Sequence, residues 1–466
     1  MRKVKVAIIG AGTAGLTALA RVRHATEEFV IINAGAYGTT CARVGCMPSK
    51  ALIHIANNFH RRKGFGEVGI RGAEALGIDI ARVLEWVRAY RDGRVAEVLG
   101  ATDRIGDRNI PGRAEFLSPN ELRVLRADSG EERIRAQAVV IATGSQSVVP
   151  AAWRSFAGRI LSTDTLFEQK DLPRRIAVLG LGSIGLEIGQ ALARLGLEVH
   201  GFEMRAGVAA LTDPALAGYA AECFAGEFFL HLGRAVEIRP RGDAWVVDNG
   251  EERIETDAVL AALGRRPNLD GLGLERIGAT LDARGVPEYD PRTLRIGDLP
   301  VYIAGDANAD RAVMHEASDE GFIAACNAIG GDFRPHRRVP LTITFTDPEI
   351  VMVGARFADL PREEFATAEY DFSRQGRAIA MRRAEGHLRV YAARGSGRLL
   401  GAEMVAPEGE HLGHLLALAI DRELTVAELL RAPVYHPVLE EGLRSALRAL
   451  ARKVYKTVPL EFETSP

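Results

Sequence analysis

One repeat constrains this chain more than anything else in it. A glycine turn set on an apolar strand occurs twice, 170 residues apart and in register: VKVAIIGAGTAG carries Gly10, Gly12 and Gly15, and RIAVLGLGSIG carries Gly180, Gly182 and Gly185. Each copy runs on into an Ala/Leu-rich helical pattern and then a second strand, VIIN ending at Asn33 and VHGFE ending at Glu203. A G-x-G-x-x-G turn between strand and helix lets backbone approach a pyrophosphate and aims a helix N-terminus at its charge. A single copy would be open to a packing explanation, because glycine turns join strands to helices in many folds. Two copies in register predict two βαβ nucleotide-binding units.

The strand-end residue distinguishes the units. Glu203 lies about 20 residues beyond its turn, where a carboxylate accepts hydrogen bonds from both ribose hydroxyls and repels a 2′-phosphate, which favours NAD over NADP. The neighbouring Arg205 works slightly against that preference. In the first unit Asn33 stands where an acid is expected; it keeps a hydrogen bond and loses the charge.

Later apolar runs complete each unit. AVVIATGS (138–145) and AVLAALGR (258–265) end in small residues and glycine, as buried parallel strands do where backbone nears a ligand. A third such run, VYIAGDA (301–307), lies beyond the second unit, which predicts a discontinuous first domain (1–148 and 270–338) with the second (149–269) inserted in it. From residue 339 onward the character changes: LTITF, LRVYAA, the turn RGSG and LLGAEMVA precede helical segments, giving a separate α+β domain over 339–466. The fold class expected is α/β, two Rossmann-like domains with one inserted in the other, plus a C-terminal α+β domain. A chain of 466 residues has room for about three such units.

Bulk properties narrow the function. Hydrophobic residues at 47% supply buried cores, and a formal net charge of −2 leaves no electrostatic footprint for nucleic acid or an anionic membrane. MRKVKVAIIG enters the first glycine turn directly and no apolar stretch approaches a membrane span, so a cytoplasmic location is the expectation. Four cysteines in so long a chain are no disulfide scaffold, and two of them, in GTTCARVGCMPSK, have the spacing of redox chemistry.

On an ideal helix Cys41 and Cys46 would have Cα atoms about 8.6 Å apart, whereas a disulfide needs roughly 4.4–6.8 Å. Cys41 must therefore leave regular helix if it bonds to Cys46. A helix beginning here would lower thiol pKa values, and Lys50, four residues past Cys46, would share that thiol's face, although Pro48 intervenes. The alternative is two buried, inert thiols, the state expected of Cys223 and Cys326 as core residues. Near the C-terminus, in VYHPVLEEGLRSALRAL, Pro437 suits the first position of a helix and leaves His436 just outside with carboxylates in the following turn. A His before a Pro is often only a helix-entry residue, but dithiol exchange needs an acid/base of this kind. His411 and His414 in HLGHLL have metal-like spacing and read better as an amphipathic helix surface.

Together these motifs resemble the pyridine nucleotide–disulfide oxidoreductases over essentially the whole chain, in the same order. The C-x4-C motif with trailing PSK is similar to that of the members acting on lipoamide, glutathione and mercuric ion, with the dihydrolipoamide branch the best match. The resemblance implies FAD and NAD as cofactors, a redox-active Cys41–Cys46 disulfide with Cys46 facing the flavin and Cys41 exchanging with a dithiol substrate, and Lys50 beside the flavin paired with Glu187. It implies that His436 and Glu441, with Glu440 as the fallback, form an acid/base dyad contributed across a homodimer's twofold axis. FAD contacts would fall at Gly10, Gly12, Gly15, Asn33, Thr40, Ala114, Thr143, Gly144, Asp306, Met314 and His315. NAD contacts would fall at Gly180, Gly182, Gly185, Glu203, Val236 and Gly264. Three departures stand out: Asn33 for an acid, Thr39 for the glycine of a GGTC turn, and Asp347 where the family often has His.

Other members of the same family fit less well. A mercuric reductase would carry further cysteines near the C-terminus, and none follows Cys326; an NADPH-dependent glutathione reductase would carry basic residues in place of Glu203; a transhydrogenase would not need both cysteines. Reduction of another disulfide, a metal ion or a quinone stays open, as does a flavin-bound redox sensor that does not turn over.

Overall fold

The apolar run VKVAII forms the centre of a parallel layer in the computed structural model, which describes residues 1–128, 130–457 and 461. Strand Arg2–Ile9 pairs with Phe29–Asn33 on one side and with Glu131–Ile141 on the other. Val6, Ala7 and Ile8 are wholly buried, as strands covered on both faces must be. The start of Asn109–Ser118 extends the layer past Phe29–Asn33, and Val301–Ile303 pairs with residues 139–141 at the far side. The chain thus leaves this layer after Ile141 and rejoins it only at Val301.

In between lies the second unit. Ala258–Ala261, Arg175–Leu179, Glu198–Glu203 and Phe229–Leu232 form a four-stranded parallel sheet in that order. Ser145–Ser147 pairs antiparallel with Arg265–Pro267, so the exit from the first layer and the exit from the second are tied together.

The C-terminal region is a five-stranded antiparallel sheet in the order Leu341–Thr344, Glu349–Gly354, Leu399–Ala406, His387–Ala393, Phe365–Asp371. Helices Gly409–Asp421 and Glu440–Val454 bury Leu412, Leu416, Leu443, Leu447 and Leu450 against Val351, Val390 and Met404. Each fully buried Leu contributes about 1.5–3 kcal/mol, so this stripe alone anchors both helices. His411 and His414 lie on the exposed side of the first of them. No described helix is long and apolar enough to cross a membrane.

Two expectations need correcting. Pro437 does not open a helix: the His436–Pro437 peptide is cis, and the helix starts at Glu440, where the Glu441 carboxylate has already accepted the Val438 N–H at 3.2 Å. Cys223 is only half-buried on helix Pro214–Ala225, although burial still pushes its thiol up to about 12, with Glu385 and Glu227 adding to the effect; Cys326 is buried as expected.

Asp347 is an anchor between regions. Its carboxylate takes Arg194 at 2.9 Å and also pairs with Arg383, while the Gln190 amide brackets its backbone, accepting its N–H at 2.9 Å and donating to its carbonyl at 2.8 Å. Arg194 is paired in turn with Glu227 and donates to Asn57. Burial opposes the Asp347 charge, but Arg383 and Arg194 outweigh it and hold the carboxyl below its ordinary range. Asp347→Ala, which leaves two guanidiniums short of a partner, is expected to lower stability by about 3 kcal/mol in urea titrations near neutral pH. Because the folded pKa is depressed, the difference between parent and variant should be full above pH of about 4 and close as pH falls through the folded value.

Candidate active site

Two glycine turns built on the same plan hold two clefts. Gly10 (φ +108°) and Gly180 (φ +89°) adopt a conformation that L side chains avoid, and a Cβ on either would run into the carbonyl of Ala142 or Ala262. Gly15 and Gly185 pack directly on the carbonyls of Gly10 and Gly180, which brings each helix down on its strand. Gly12 and Gly182 differ: a Cβ there would meet nothing within 4 Å. Packing therefore explains the first and third glycines, and open space in front of the second leaves backbone free to approach a ligand. Helices Thr13–Val22 and Ser183–Arg194 begin at these points with no acidic residue in the first turn and no side-chain cap, so their N-termini face the clefts with amides to offer.

The strand-end residues brace the turns. Asn33 Oδ1 accepts the Ala11 N–H at 3.1 Å, and Glu203 Oε2 accepts the Leu181 N–H at 2.9 Å. Asn33 thus keeps the bracing bond and gives up only the charge. Glu203 also accepts the Arg205 N–H at 3.1 Å, which spends part of its capacity inside its own loop.

The first cleft, about 1030 Å³, is lined among others by Gly12, Thr40, Gly144, Asp306 and Met314, with Cys41, Cys46, Lys50 and Glu187 in its wall. The second, about 1570 Å³, is lined by Gly180, Gly182, Glu203, Val236 and Gly264. Thr143 sits beside the first with its hydroxyl buried and unpartnered. Ala114 is buried within strand Asn109–Ser118 and His315 is exposed at the start of helix Met314–Ala328; neither lines the cleft. Ile184, Thr163 and Arg265, none singled out from sequence, line both clefts. Arg265 donates to Ser145 Oγ at 2.9 Å, and Ser145 donates to Asp306 at 2.6 Å, so one chain of bonds joins them. The only sequence signal was the position of Arg265 at the end of an apolar run.

The two cysteines occupy separate helices. Thr40–Arg43 is a single turn capped by the Thr39 hydroxyl, which accepts the Ala42 N–H at 3.0 Å; the departure at Thr39 therefore supplies a helix cap. The chain breaks at Val44 and Gly45 and restarts at Cys46, the first residue of helix Cys46–Arg61. The return at Gly45 leaves little room for a side chain, since a Cβ there would sit 3.1 Å from Thr40 O. Pro48 falls in the first turn, where no intrahelical bond requires its N–H, so Lys50 keeps its place.

Electrostatics separate the thiols. The Cys41 S–H donates to Cys46 and draws the Cys46 thiol down to about 7; burial opposes this and Lys50 assists it. Cys41 is pushed far up by the same hydrogen bond and by burial. The first proton therefore leaves the pair more readily than it would leave a free thiol, and the second is held tightly. Lys50 Nζ is 2.8 Å from Glu187 Oε2 on the nucleotide helix, and Glu187 is 4% exposed.

His436 Nδ1 lies 3.0 Å from Glu441 Oε1, and the hydrogen bond from His436 lowers the Glu441 pKa against the small effect of burial. Glu440 makes no such contact with the ring. The imidazole is 80% exposed, oriented by the carboxylate and open to another molecule.

The glycine geometry makes a discriminating prediction. Gly12→Ala should fold with unchanged circular dichroism and purify with at least about tenfold weaker flavin retention, read by absorbance ratio, whereas Gly15→Ala should fail to fold or lose several kcal/mol by overpacking. Equal behaviour of the two variants would contradict the assignment of open space to Gly12.

Comparison with known proteins agrees with this architecture. Residues 4–321 match the family described as pyridine nucleotide-disulphide oxidoreductase, and residues 340–447 match its dimerisation domain. Dihydrolipoyl dehydrogenases from Geobacillus stearothermophilus and Pseudomonas aeruginosa are each 31% identical, covering 96% of this chain and 96% of the first, 97% of this chain and 99% of the second. Among solved structures, LpdA from Mycobacterium tuberculosis superposes with a TM-score of 0.85 at 24% identity over 96% of this chain and 99% of its own. The Cu(II) complex of the HOCl-induced flavoprotein disulfide reductase RclA from Escherichia coli gives 0.84 at 23% over 97% and 100%. These two share the fold. With both family models matched in order and near-full-length relatives, the chain belongs to the pyridine nucleotide–disulphide oxidoreductases, flavin enzymes that use FAD together with NAD(P), with NAD the nucleotide of the dihydrolipoyl dehydrogenases among them.

Proposed function

We propose that the chain is a homodimeric oxidoreductase passing electrons between a small or carrier-bound dithiol of the dihydrolipoamide kind and NAD. The observation that carries the reading is the Cys41–Cys46 pair in the wall of the first cleft, with Lys50 and Glu187 behind it and the Cys46 thiol drawn down. The domain boundaries we assign to this activity are 1–148 with 270–338 for FAD, 149–269 for NAD and 339–466 for the dimer interface.

The clefts fit the cofactors. Gly12, the helix start at Thr13, Thr40, Gly144, Asp306 and Met314 would hold FAD, with Asn33 bracing the turn behind them, and Gly182, Glu203, Val236 and Gly264 would hold NAD. When bound, FAD supplies two-electron chemistry between a thiolate and the nicotinamide. The chain's own residues handle sulfur and protons. In the oxidised protein a substrate thiolate attacks Cys41 Sγ, a mixed disulfide forms, and Cys46 leaves as a thiolate stabilised by Lys50. The second substrate thiol resolves the mixed disulfide, so the substrate departs as a cyclic disulfide and Cys41 returns to the thiol. His436 of a second copy, held by Glu441, takes the proton from the attacking thiol.

The testing experiment is a substrate panel: dihydrolipoamide, glutathione disulfide, metal ions and quinones, each with NAD(H) and NADP(H). The expected outcome is turnover of dihydrolipoamide with NAD⁺ at least about tenfold above every other pairing, with Glu203→Ala eroding the nucleotide preference. Equal use of both nucleotides by the parent would overturn the role given to that carboxylate.

Sharing of the site across the twofold has its own test. His436→Gln and Cys41→Ser should each lose about 10²-fold or more in kcat, and refolding them together should restore up to about a quarter of parental activity, because half the dimers pair one intact cysteine site with one intact histidine. No recovery in verified heterodimers would show that His436 does not serve the Cys41 of the other copy.

A further inference from the structure

The segment that opens the C-terminal sheet lies along one face of the nucleotide helix. Thr344 Oγ1 donates to Ser183 Oγ at 2.7 Å, the Phe345 N–H donates to Glu187 Oε1 at 2.8 Å, the Gln190 amide brackets the Asp347 backbone, and Arg194 takes the Asp347 carbonyl at 2.8 Å. Ser183, Glu187, Gln190 and Arg194 follow the i, i+4, i+7, i+11 spacing of a single helix face. Three residues of the segment 344–347, Thr344, Phe345 and Asp347, therefore hold it as a strap in fixed register with the helix.

At the middle of the strap Phe345 makes two contacts of different kinds. Its N–H holds one oxygen of Glu187, whose other oxygen takes Lys50 Nζ at 2.8 Å. Its ring faces the same ammonium, with Nζ 4.6 Å from the ring centroid. A cation over a ring face is attracted by the quadrupole, and the attraction depends on ring electronics as well as ring shape. Lys50 has 36% of its side chain exposed and a flexible four-carbon stem, so it has room to swing toward water. The ring and the carboxylate together keep it directed inward.

We propose that Phe345 is a positioning residue for the redox thiol: its ring seats Lys50 and its N–H seats Glu187, so the C-terminal domain fixes the cation beside Cys46. The inference rests on the reading of Cys46 as the flavin-facing thiolate. The groups acting on Cys46 are Cys41, Lys50 and Glu187, and Phe345 touches the two charged ones. Loss of the ring's hold releases the ammonium and destabilises the thiolate.

The test uses the flavin-loaded dimer after two-electron reduction, with 4-fluoro- or 3,4,5-trifluorophenylalanine at position 345, together with Phe345→Tyr and Phe345→Leu. Fluorination drains the ring face while nearly preserving its shape, so a purely structural role would leave the readout unmoved. Two readouts are followed against pH: the long-wavelength thiolate-to-flavin charge-transfer absorbance, and the alkylation rate of the reduced thiols by iodoacetamide, which needs no flavin. The expected result is a midpoint that climbs stepwise with fluorine count and furthest in Phe345→Leu, lowering the thiolate fraction at pH 7 by about threefold or more, while Phe345→Tyr stays with the parent. Superimposable titrations across the fluorinated series, or a shift to lower pH, would overturn the proposal; should Phe345→Leu fail to fold, that series decides alone. A parent dimer that holds flavin and shows no charge-transfer band would instead sink the assignment of Cys46, and the alkylation profile would still report on Phe345.

Discussion

The packing of helix Cys46–Arg61 against helix Ser183–Arg194 is the contact on which the site depends. Leu52 and Ala56 from the first, with Leu186 and Leu192 from the second, join one buried cluster, each 2% exposed or less. This places Glu187 in an interior position where an unpartnered carboxylate would cost several kcal/mol. The structure answers with Lys50 on one oxygen and the Phe345 N–H on the other. The cation that tunes Cys46 is thus held in place by a requirement of the core. A thiol at the first position of a helix, with a lysine one turn later, already favours the thiolate; the core fixes where that lysine points.

The two nucleotide units show one solution used twice with a single change of chemistry. In both, the first glycine is demanded by the carbonyl of Ala142 or Ala262, the third by the carbonyl of the first, and the second faces open space. In both, the strand-end side chain accepts an amide from the turn. Asn33 and Glu203 do this equally well, so bracing the turn places no demand on charge. Glu203 brings a formal charge to the wall of the second cleft that Asn33 cannot bring to the first, and this is the physical basis for treating the two clefts as differing in ligand.

Much of this was legible in the chain because it is local or periodic. The glycine repeat, the apolar runs and the break required between Cys41 and Cys46 follow from short-range geometry, whereas the pairing of His436 with Glu441 was implied by the family resemblance alone. What could not be read were contacts made between distant segments. Arg265 looks like the trailing residue of a strand, yet it lines both clefts; Phe345 looks like one more apolar residue in an alternating strand, yet its N–H and ring meet different partners. Thr39 and Asp347 stood out as departures without a visible purpose, and only the folded chain shows a helix cap in one and an anchor for two arginines in the other. Pro437 misled because its suitability for a first helical position is a local preference, and the backbone around it follows a cis peptide with the helix delayed to Glu440.

The junctions between the three regions carry buried polar networks beside their apolar packing. Besides the group around Asp347, Glu403, wholly buried, accepts the backbone N–H groups of Thr212, Asp213 and Phe357, and Asp213, 1% exposed, takes Arg389 and Tyr391. Apolar residues of the same volume would hold these surfaces together about as strongly, since desolvation offsets most of the attraction in a buried pair. What a fully satisfied network provides is intolerance of sliding: a displacement of one hydrogen-bond length strands several buried charges at once, whereas an apolar junction would lose little. In a protein whose two clefts share Ile184, Thr163 and Arg265, the relative placement of the domains is itself part of the site, and junctions that admit only one register are the means by which the fold keeps the clefts in line.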